Sequence, residues 1–367
     1  MFTLDRKFFK NFDFTLFFST LALMILSIIF VASASSAKSG NYYFTRQLVW
    51  VVGAVVVMFV TLKIDYNTFW KFSRLIYLAN IALLLAVLAV GRTSKYGGTH
   101  WIWIGPIPLQ PSEFSKVFTI LTLAKLLVQK ENKLNKFSDL FPVFFHIGIP
   151  FGLVILQGDL GTALVFIAIL FGMLFVAGVK VKHLATLVGA GVAVMPVVWN
   201  FLKDYQKKRL IVFINPEMDK LGAGWNIIQS KIAIGSGGIL GKGIFAGSQN
   251  RLEFLPESHT DFIFSVIGEE VGFLGSGIVL LLFFIIIWRG IKIAGRAKDM
   301  YGVLIAIGIT SMFFFHVFEN VGMALGIMPI TGIPLPFVSY GGSAMFTNAL
   351  SLGLLLNIYF RRQKIRF

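Results

Sequence analysis

The chain has 367 residues, of which 56% are hydrophobic and 39 are Phe, at a mean hydropathy of +0.80. An ordinary soluble domain holds roughly 45–50% apolar residues, so the composition excludes a soluble globular protein and points to one embedded in a bilayer. The net charge of +16 invites a nucleic-acid reading, but its placement follows the positive-inside pattern and no nucleic-acid partner is expected. With no cysteine, disulfides and thiolate metal sites are excluded.

A helix needs roughly 20 apolar residues to cross about 30 Å of hydrocarbon. Ten segments approach this, at about 14–34, 46–62, 70–91, 112–128, 139–157, 159–178, 183–202, 261–288, 301–327 and 340–360. The first is read as a transmembrane helix rather than a cleaved leader, since its apolar run exceeds a typical signal core. Lys116 and Lys125 interrupt the fourth, and Pro142 and Pro150 are predicted to kink the fifth. The expected fold is an all-α integral membrane protein of about ten transmembrane helices, one domain over residues 1–367. An even number of spans puts both termini on one side. With the N-terminus inside, 20 of the 33 Lys and Arg residues fall in inner segments, including Arg6, Lys7, Lys10, Lys364 and Arg366. Both termini are therefore expected to be cytoplasmic.

That orientation gives the outer side the elaborate loops, at about 92–111 and 203–260. The second is too long to be structureless, so short helices are expected in it, one near Asn226–Ile234 followed by a tight or re-entrant turn over GSGGILGKG (235–243). That glycine-rich run suits phosphate but lacks Walker spacing. Lys207, Lys208, Arg209, Lys231 and Arg251 supply cations fit for a diphosphate.

The stretch EFLPESHTDFIFSVIGEEVGFLG (253–275) joins this loop to an apolar helix. Asp261 sits at the seam, where a helix N-terminus favours a carboxylate. It reads either as a cap or as a chemical group, and its neighbours Glu253, Glu257 and His259 exceed the needs of one cap. Glu269 and Glu270 read as helix-packing partners, and His316, Glu319 and Asn320 as a proton relay or, in preference, a buried polar lock to Asn348. In GGTHWIWIGPIPLQPSEFSK (97–116), Ser112 is the expected N-cap, and Glu113 and Lys116 pair at i, i+3, with the lysine placed to meet a lipid phosphate. Trp101 and Trp103 read as interfacial aromatics or as a stacking platform. QGDLGT (157–162) puts Asp159 in a short outer turn. MPITGIPLPFVSYGGS (328–343) is irregular backbone that is tolerated at a membrane rim only when buried or lining a cavity.

Taken together, GGTHWI, QPSEFSK, QGDLGT, GWNIIQSKIAIGSGGILGKG, LPESHTDFIFSVIGEEVG and NVGMALGIMPITGIPLPFVSYGGS resemble, in order and over nearly the whole chain, the SEDS family (shape, elongation, division and sporulation) of peptidoglycan polymerases. PESHTDFIF and TGIPLPFVSYGG are most similar to the elongation branch. Gly158, Asn226 and Ala344 depart from the family pattern without touching the aspartate. The resemblance implies a peptidoglycan glycosyltransferase that uses lipid II outside the cytoplasmic membrane alongside a class B penicillin-binding protein. It places the catalytic aspartate on Asp261, as general base or ligand of a divalent cation. It places family motif residues on Trp101, Glu113 and Lys116, and beside them Arg46, Asp159, Arg209, Glu257, His259, Thr260 and Ser339 are the candidate substrate contacts. A lipid II flippase is the alternative; it suits the intramembrane carboxylates but predicts internal repeats, and none is evident.

Overall fold

The structure is a computed structural model that describes residues 11–39, 41–93, 98–105, 107–131, 133–134, 136–219 and 222–362. Arg6, Lys7, Lys10, Lys364 and Arg366, which helped to orient the chain, lie outside the described residues. The chain is mostly helical. In order come α1 (Phe14–Ser39), α2 (Tyr42–Lys63), α3 (Tyr66–Lys71) and α4 (Ser73–Val90). Then follow strands β1 (Arg92–Thr93), β2 (Thr99–Ile104) and β3 (Ile107–Leu109). The rest is α5 (Pro111–Gln129), α6 (Phe141–Leu156), α7 (Leu160–Val176), α8 (Val181–Phe201), α9 (Asp204–Ile214), α10 (Ala223–Gly237), α11 (Ser248–Arg251), α12 (Ile263–Ala294), α13 (Met300–Leu325) and α14 (Gly342–Phe360).

Among the described residues seven helical segments are long and apolar enough to cross a membrane: α1, α2, α4, α6 with its leading turn, α12, α13 and α14. α7 and α8 are apolar but shorter. α5 carries Glu113 and Lys116 and is buried along most of its length, so its charges find partners inside the bundle. Side-chain caps start several helices. The Asp159 carboxylate accepts from Thr162 N at 2.9 Å to open α7, and Asp299 accepts from Gly302 N at 2.8 Å to open α13. α13 stops at Gly326, whose φ of 71° is the left-handed C-terminal cap that glycine permits.

The polar ends of the bundle are held differently. At one end Asn357 Nδ2 donates to the carbonyls of Thr61 and Leu62 at 2.9 and 3.0 Å, closing the C-terminus of α2. There too Arg289 pairs with Asp13, and the Tyr66 hydroxyl donates to Asp299 at 2.6 Å. The opposite end gathers the sheet β1–β3, the described residues between α8 and α12, and the turn before α14.

The long helix α12 breaks at Gly272, whose φ of 63° suits glycine alone among common residues. Backbone from the turn after α10 fills the break. Lys242 N and Gly243 N donate to the carbonyls of Glu269 and Glu270, while Phe273 N and Leu274 N donate to the carbonyls of Gly238 and Ile239, all at 2.9–3.1 Å. The groups orphaned by the break are thereby satisfied. A Cβ on Gly272 would lie 2.4 Å from Gly241 N. Glu269 adds an ion pair to Lys242 at 2.7 Å, and Glu270 accepts from the Ser33 hydroxyl on α1.

Several expectations are corrected. In the expected 92–111 loop, β1, β2 and β3 form a three-stranded antiparallel sheet, with Arg92 opposite Trp101 and Trp103 opposite Pro108. Pro142 lies in the first turn of α6, where a missing N–H costs nothing; only Pro150 is interior. Gln110, not Ser112, is the N-cap of α5, because Pro111 opens that helix. Asp261 precedes α12 by two residues, the cap position being Phe262, so Asp261 is not a helix cap. Glu319 and Asn320 are locked by Thr331, Asp261 and Ile333, and not by Asn348.

Candidate active site

The segment before α12 is fastened from three directions. The Ser339 hydroxyl donates to the Thr260 carbonyl at 2.6 Å while accepting from Leu335 N at 2.9 Å. Tyr340 N donates to the His259 carbonyl at 2.9 Å, and Asn320 Nδ2 donates to the Asp261 carbonyl at 2.9 Å. From α1, the Ala34 carbonyl accepts from the Ser258 hydroxyl at 3.2 Å. Within this frame Glu257 holds φ of 51°, an uncommon state for a residue with a side chain that costs about 1–3 kcal/mol and collects at functional sites. The Thr260 hydroxyl steadies the Glu257 carboxylate at 3.3 Å.

Two cavities open beside the segment. The first, of about 710 Å³, is walled by Trp101 and Trp103, by Arg46, Tyr43 and Tyr340, and by His259 and Thr260. The tryptophans share a face of β2 because side chains two apart on a strand point the same way. The rings of Tyr43 and His259 lie 4.4 Å apart, and those of Tyr43 and Tyr340 4.9 Å apart. The second cavity, of about 650 Å³, is walled by Arg209, Lys208 and Tyr205 from α9, and by Trp225 and Asn226 from α10. Asp261 and Glu257 line both. Asp261 thus stands where an aromatic chamber meets a cationic one.

The electrostatics there are distinctive. Burial pushes the Asp261 carboxyl up to about 6, with Glu257's charge adding to the rise and Arg209 opposing it. Arg209 stays near through Nη1, which donates to the Thr331 carbonyl at 3.3 Å. Lys208 is shared with Asp219 at 3.2 Å.

Of the residues singled out from sequence, Arg46, Trp101, Arg209, Glu257, His259, Thr260 and Asp261 converge on these cavities. Ser339 stands behind the wall as a strut. Asp159 lines neither chamber; it caps α7 and accepts from the Thr162 hydroxyl at 2.8 Å. Glu113 and Lys116 also lie elsewhere. They are 2% and 1% exposed, joined at 2.8 Å, and Lys116 Nζ is 3.0 Å from His316 Nε2. So enclosed, the lysine faces a carboxylate and an imidazole rather than either chamber. The sequence reading passed over Tyr43, Trp50, Arg92 and Tyr340, which complete the aromatic chamber.

The family model for cell cycle proteins of the FtsW, RodA and SpoVE group matches residues 11–364. The chain is 39% identical over 355 residues to the peptidoglycan glycosyltransferase MrdB of Escherichia coli (strain K12), covering 96% of this chain and 95% of that one. FtsW and stage V sporulation relatives match at 38%, so identity does not separate the branches. A chain in a solved peptidoglycan synthase complex, which coordinates polymerization and crosslinking, superposes with a TM-score of 0.82 at 31% identity, covering 96% of this chain and 98% of that one. The rod shape determining protein RodA of Thermus thermophilus superposes at 0.72 with 27% identity, covering 96% and 98%. Apolar spans, site and comparisons agree: this multi-pass membrane protein belongs to the SEDS family, the FtsW/RodA/SpoVE group.

Proposed function

We propose that this chain is a peptidoglycan glycosyltransferase of the elongation branch, a single domain of ten spans that polymerises lipid II at the outer face of the cytoplasmic membrane. The observation that carries the reading is the position of Asp261, bordering both chambers, as a two-substrate transfer requires. The GlcNAc 4-hydroxyl of one lipid-linked disaccharide attacks the anomeric carbon of a MurNAc on another. The new C–O bond forms as the bond to undecaprenyl diphosphate breaks, with inversion. Asp261 takes the hydroxyl proton, and Arg209 and Lys208 face the charge that develops on the departing diphosphate. Trp101 offers a stacking face to a sugar. Lys63, Arg289, Lys292 and Arg361 lie at the end opposite Asp261, which supports cytoplasmic termini and an outer site. The likeness to a subunit of a synthase complex supports a class B penicillin-binding protein as partner.

A divalent cation fits in a limited way. Among the described residues no three His, Cys, Asp or Glu side chains gather to hold a metal. Asp261 and Glu257 offer two carboxylates, the donor set with which Mg²⁺ binds while keeping waters and phosphate oxygens. Such an ion, when bound, would neutralise diphosphate charge.

The test incubates wild-type protein and its partner with labelled lipid II, with and without chelator, and resolves glycan ladders. A ladder is the expected product. Movement of lipid II across vesicles with no ladder sinks the polymerase reading in favour of a flippase.

The rate should also fall below about pH 6, since the ionised Asp261 is the active form and its carboxyl is raised to about 6. Glu257→Gln removes a charge that raises that carboxyl, so the acid limb moves to lower pH. Arg209→Ala removes one that lowers it, so the limb moves up. A limb unmoved by both in a rate–pH profile disconnects Asp261 from the rate.

A further inference from the structure

This chemistry leaves one buried carboxyl without a task. Glu319 of α13 is 0% exposed, and a carboxyl in an apolar helix is costly unless something binds it. Its Oε1 accepts from the Thr331 hydroxyl, and its Oε2 has no hydrogen-bond partner among the described residues. Thr331 lies in irregular backbone, and its carbonyl accepts from Arg209 Nη1 at 3.3 Å. The neighbour of Glu319, Asn320, reaches the same stretch from the other side, donating to the Ile333 carbonyl at 2.8 Å and the Asp261 carbonyl at 2.9 Å. Between these two anchors lies Gly332, with φ of +79°; a Cβ there would sit 3.4 Å from Asp261 Oδ2. One turn of α13 therefore grips residues 331–333 at both ends, with the acid of the site above the middle and its nearest cation on the first carbonyl.

We propose that Glu319 is a positioning residue for the transfer: through Thr331 it fixes Arg209 relative to Asp261, whose backbone Asn320 holds. The inference rests on the polymerase reading above. An arginine side chain is long and has many rotamers, so a bond to a backbone carbonyl places it only as well as that carbonyl is placed. The 329–335 stretch makes no helix or strand that would fix Thr331. The hydroxyl-to-carboxyl bond supplies that restraint, and it requires an acceptor at position 319 rather than a charge.

The purely structural reading makes a different demand. If Glu319 only tied a loop down, replacing both it and Thr331 by apolar side chains would cost little, since exchanging a buried polar pair for well-packed apolar groups is often neutral or stabilising. Activity would then survive it.

The test measures kcat and KM for lipid II, with the partner present, for Glu319→Gln, Glu319→Val, Thr331→Val and the double valine variant. Asp261→Asn serves as the blank. The glutamine variant, which keeps an acceptor, is expected within about twofold of wild type. Either valine variant should lose about tenfold in kcat, the scale of a misplaced charge-stabilising group, with KM little changed. The double variant should be no slower than the slower single, because both cut one link. Thermal unfolding of the double valine variant in detergent should stay near wild type, because both members of the pair are gone. Wild-type kcat in Glu319→Val, a glutamine variant as slow as the valine, or losses that multiply in the double variant would each overturn the proposal. Should Glu319→Val not fold, Thr331→Val decides alone, and a wild-type rate there overturns it. A wild-type protein that makes no ladder instead removes the polymerase reading itself.

Discussion

Asp261→Asn protein is expected to fold normally and to polymerise lipid II at least about a hundredfold more slowly than wild type, the lower range for removal of a general base. Asparagine has nearly the shape of aspartate but takes no proton at neutral pH and is a poor cation ligand. The frame does not depend on the carboxylate, because Asn320 holds the backbone carbonyl of residue 261 and Ser339 that of Thr260. Stability should not fall either. A carboxyl raised to about 6 in the folded protein disfavours folding once ionised, so the aspartate's contribution worsens as pH climbs from the usual carboxylate range through 6. Asparagine has no such dependence, so thermal unfolding at neutral pH should match wild type or exceed it. Ladder formation within about threefold of wild type would remove Asp261 from the chemistry, whatever the cavities look like.

Lys116→Met should act the other way, through the fold. Lys116 and Glu113 are enclosed, and Lys116 also faces His316, whose Nδ1 donates to the Pro334 carbonyl at 3.2 Å when Nε2 accepts from the lysine. One of the two Glu113 carboxylate oxygens already has no hydrogen-bond partner in the structure. Cutting the lysine leaves a buried carboxylate uncompensated, a loss of about 3–5 kcal/mol. At about 2 °C per kcal/mol, the low end that suits a longer chain, unfolding in detergent should drop by roughly 6–10 °C. Replacing Glu113 with Gln as well should restore most of that loss, because the stranded charge is gone. If Lys116→Met unfolds at the wild-type temperature yet makes no glycan, the lysine has a chemical task, and the sequence-based expectation for it stands after all.

The contrast between Asp261 and Lys116 shows what the sequence made legible. The apolar runs located every long helix, although α1 and α12 run past the expected ends to Ser39 and Ala294, since hydropathy is nearly sufficient in a bilayer. PESHTD and SYGGS were recognisable as site segments because so many polar and turn residues have no place beside an apolar helix unless they line something. Polarity could not tell a carboxylate facing a cavity from one facing a lysine, and so Glu113, Lys116 and Asp159 were grouped with Asp261. The strand pattern of THWIWI was readable, with β-branched and aromatic residues alternating, but the surrounding glycines hid it. Tyr43, Trp50 and Tyr340 were illegible for another reason. An aromatic residue at a membrane rim looks the same whether it anchors the helix or walls a chamber, and only the closure of the bundle decides between them.

The break at Gly272 has a mechanical consequence. It divides α12 into two arms, one that begins beside Asp261 and one tied to the start of α1 by Arg289 and Asp13. A bare glycine there would be a free hinge. This one is spliced, because four backbone hydrogen bonds run from the arms into residues 238–243. The arms cannot change their angle unless that turn moves with them, and the turn cannot be displaced without bending the helix. The splice therefore couples the turn at residues 238–243 to the arm that carries the aspartate's seat.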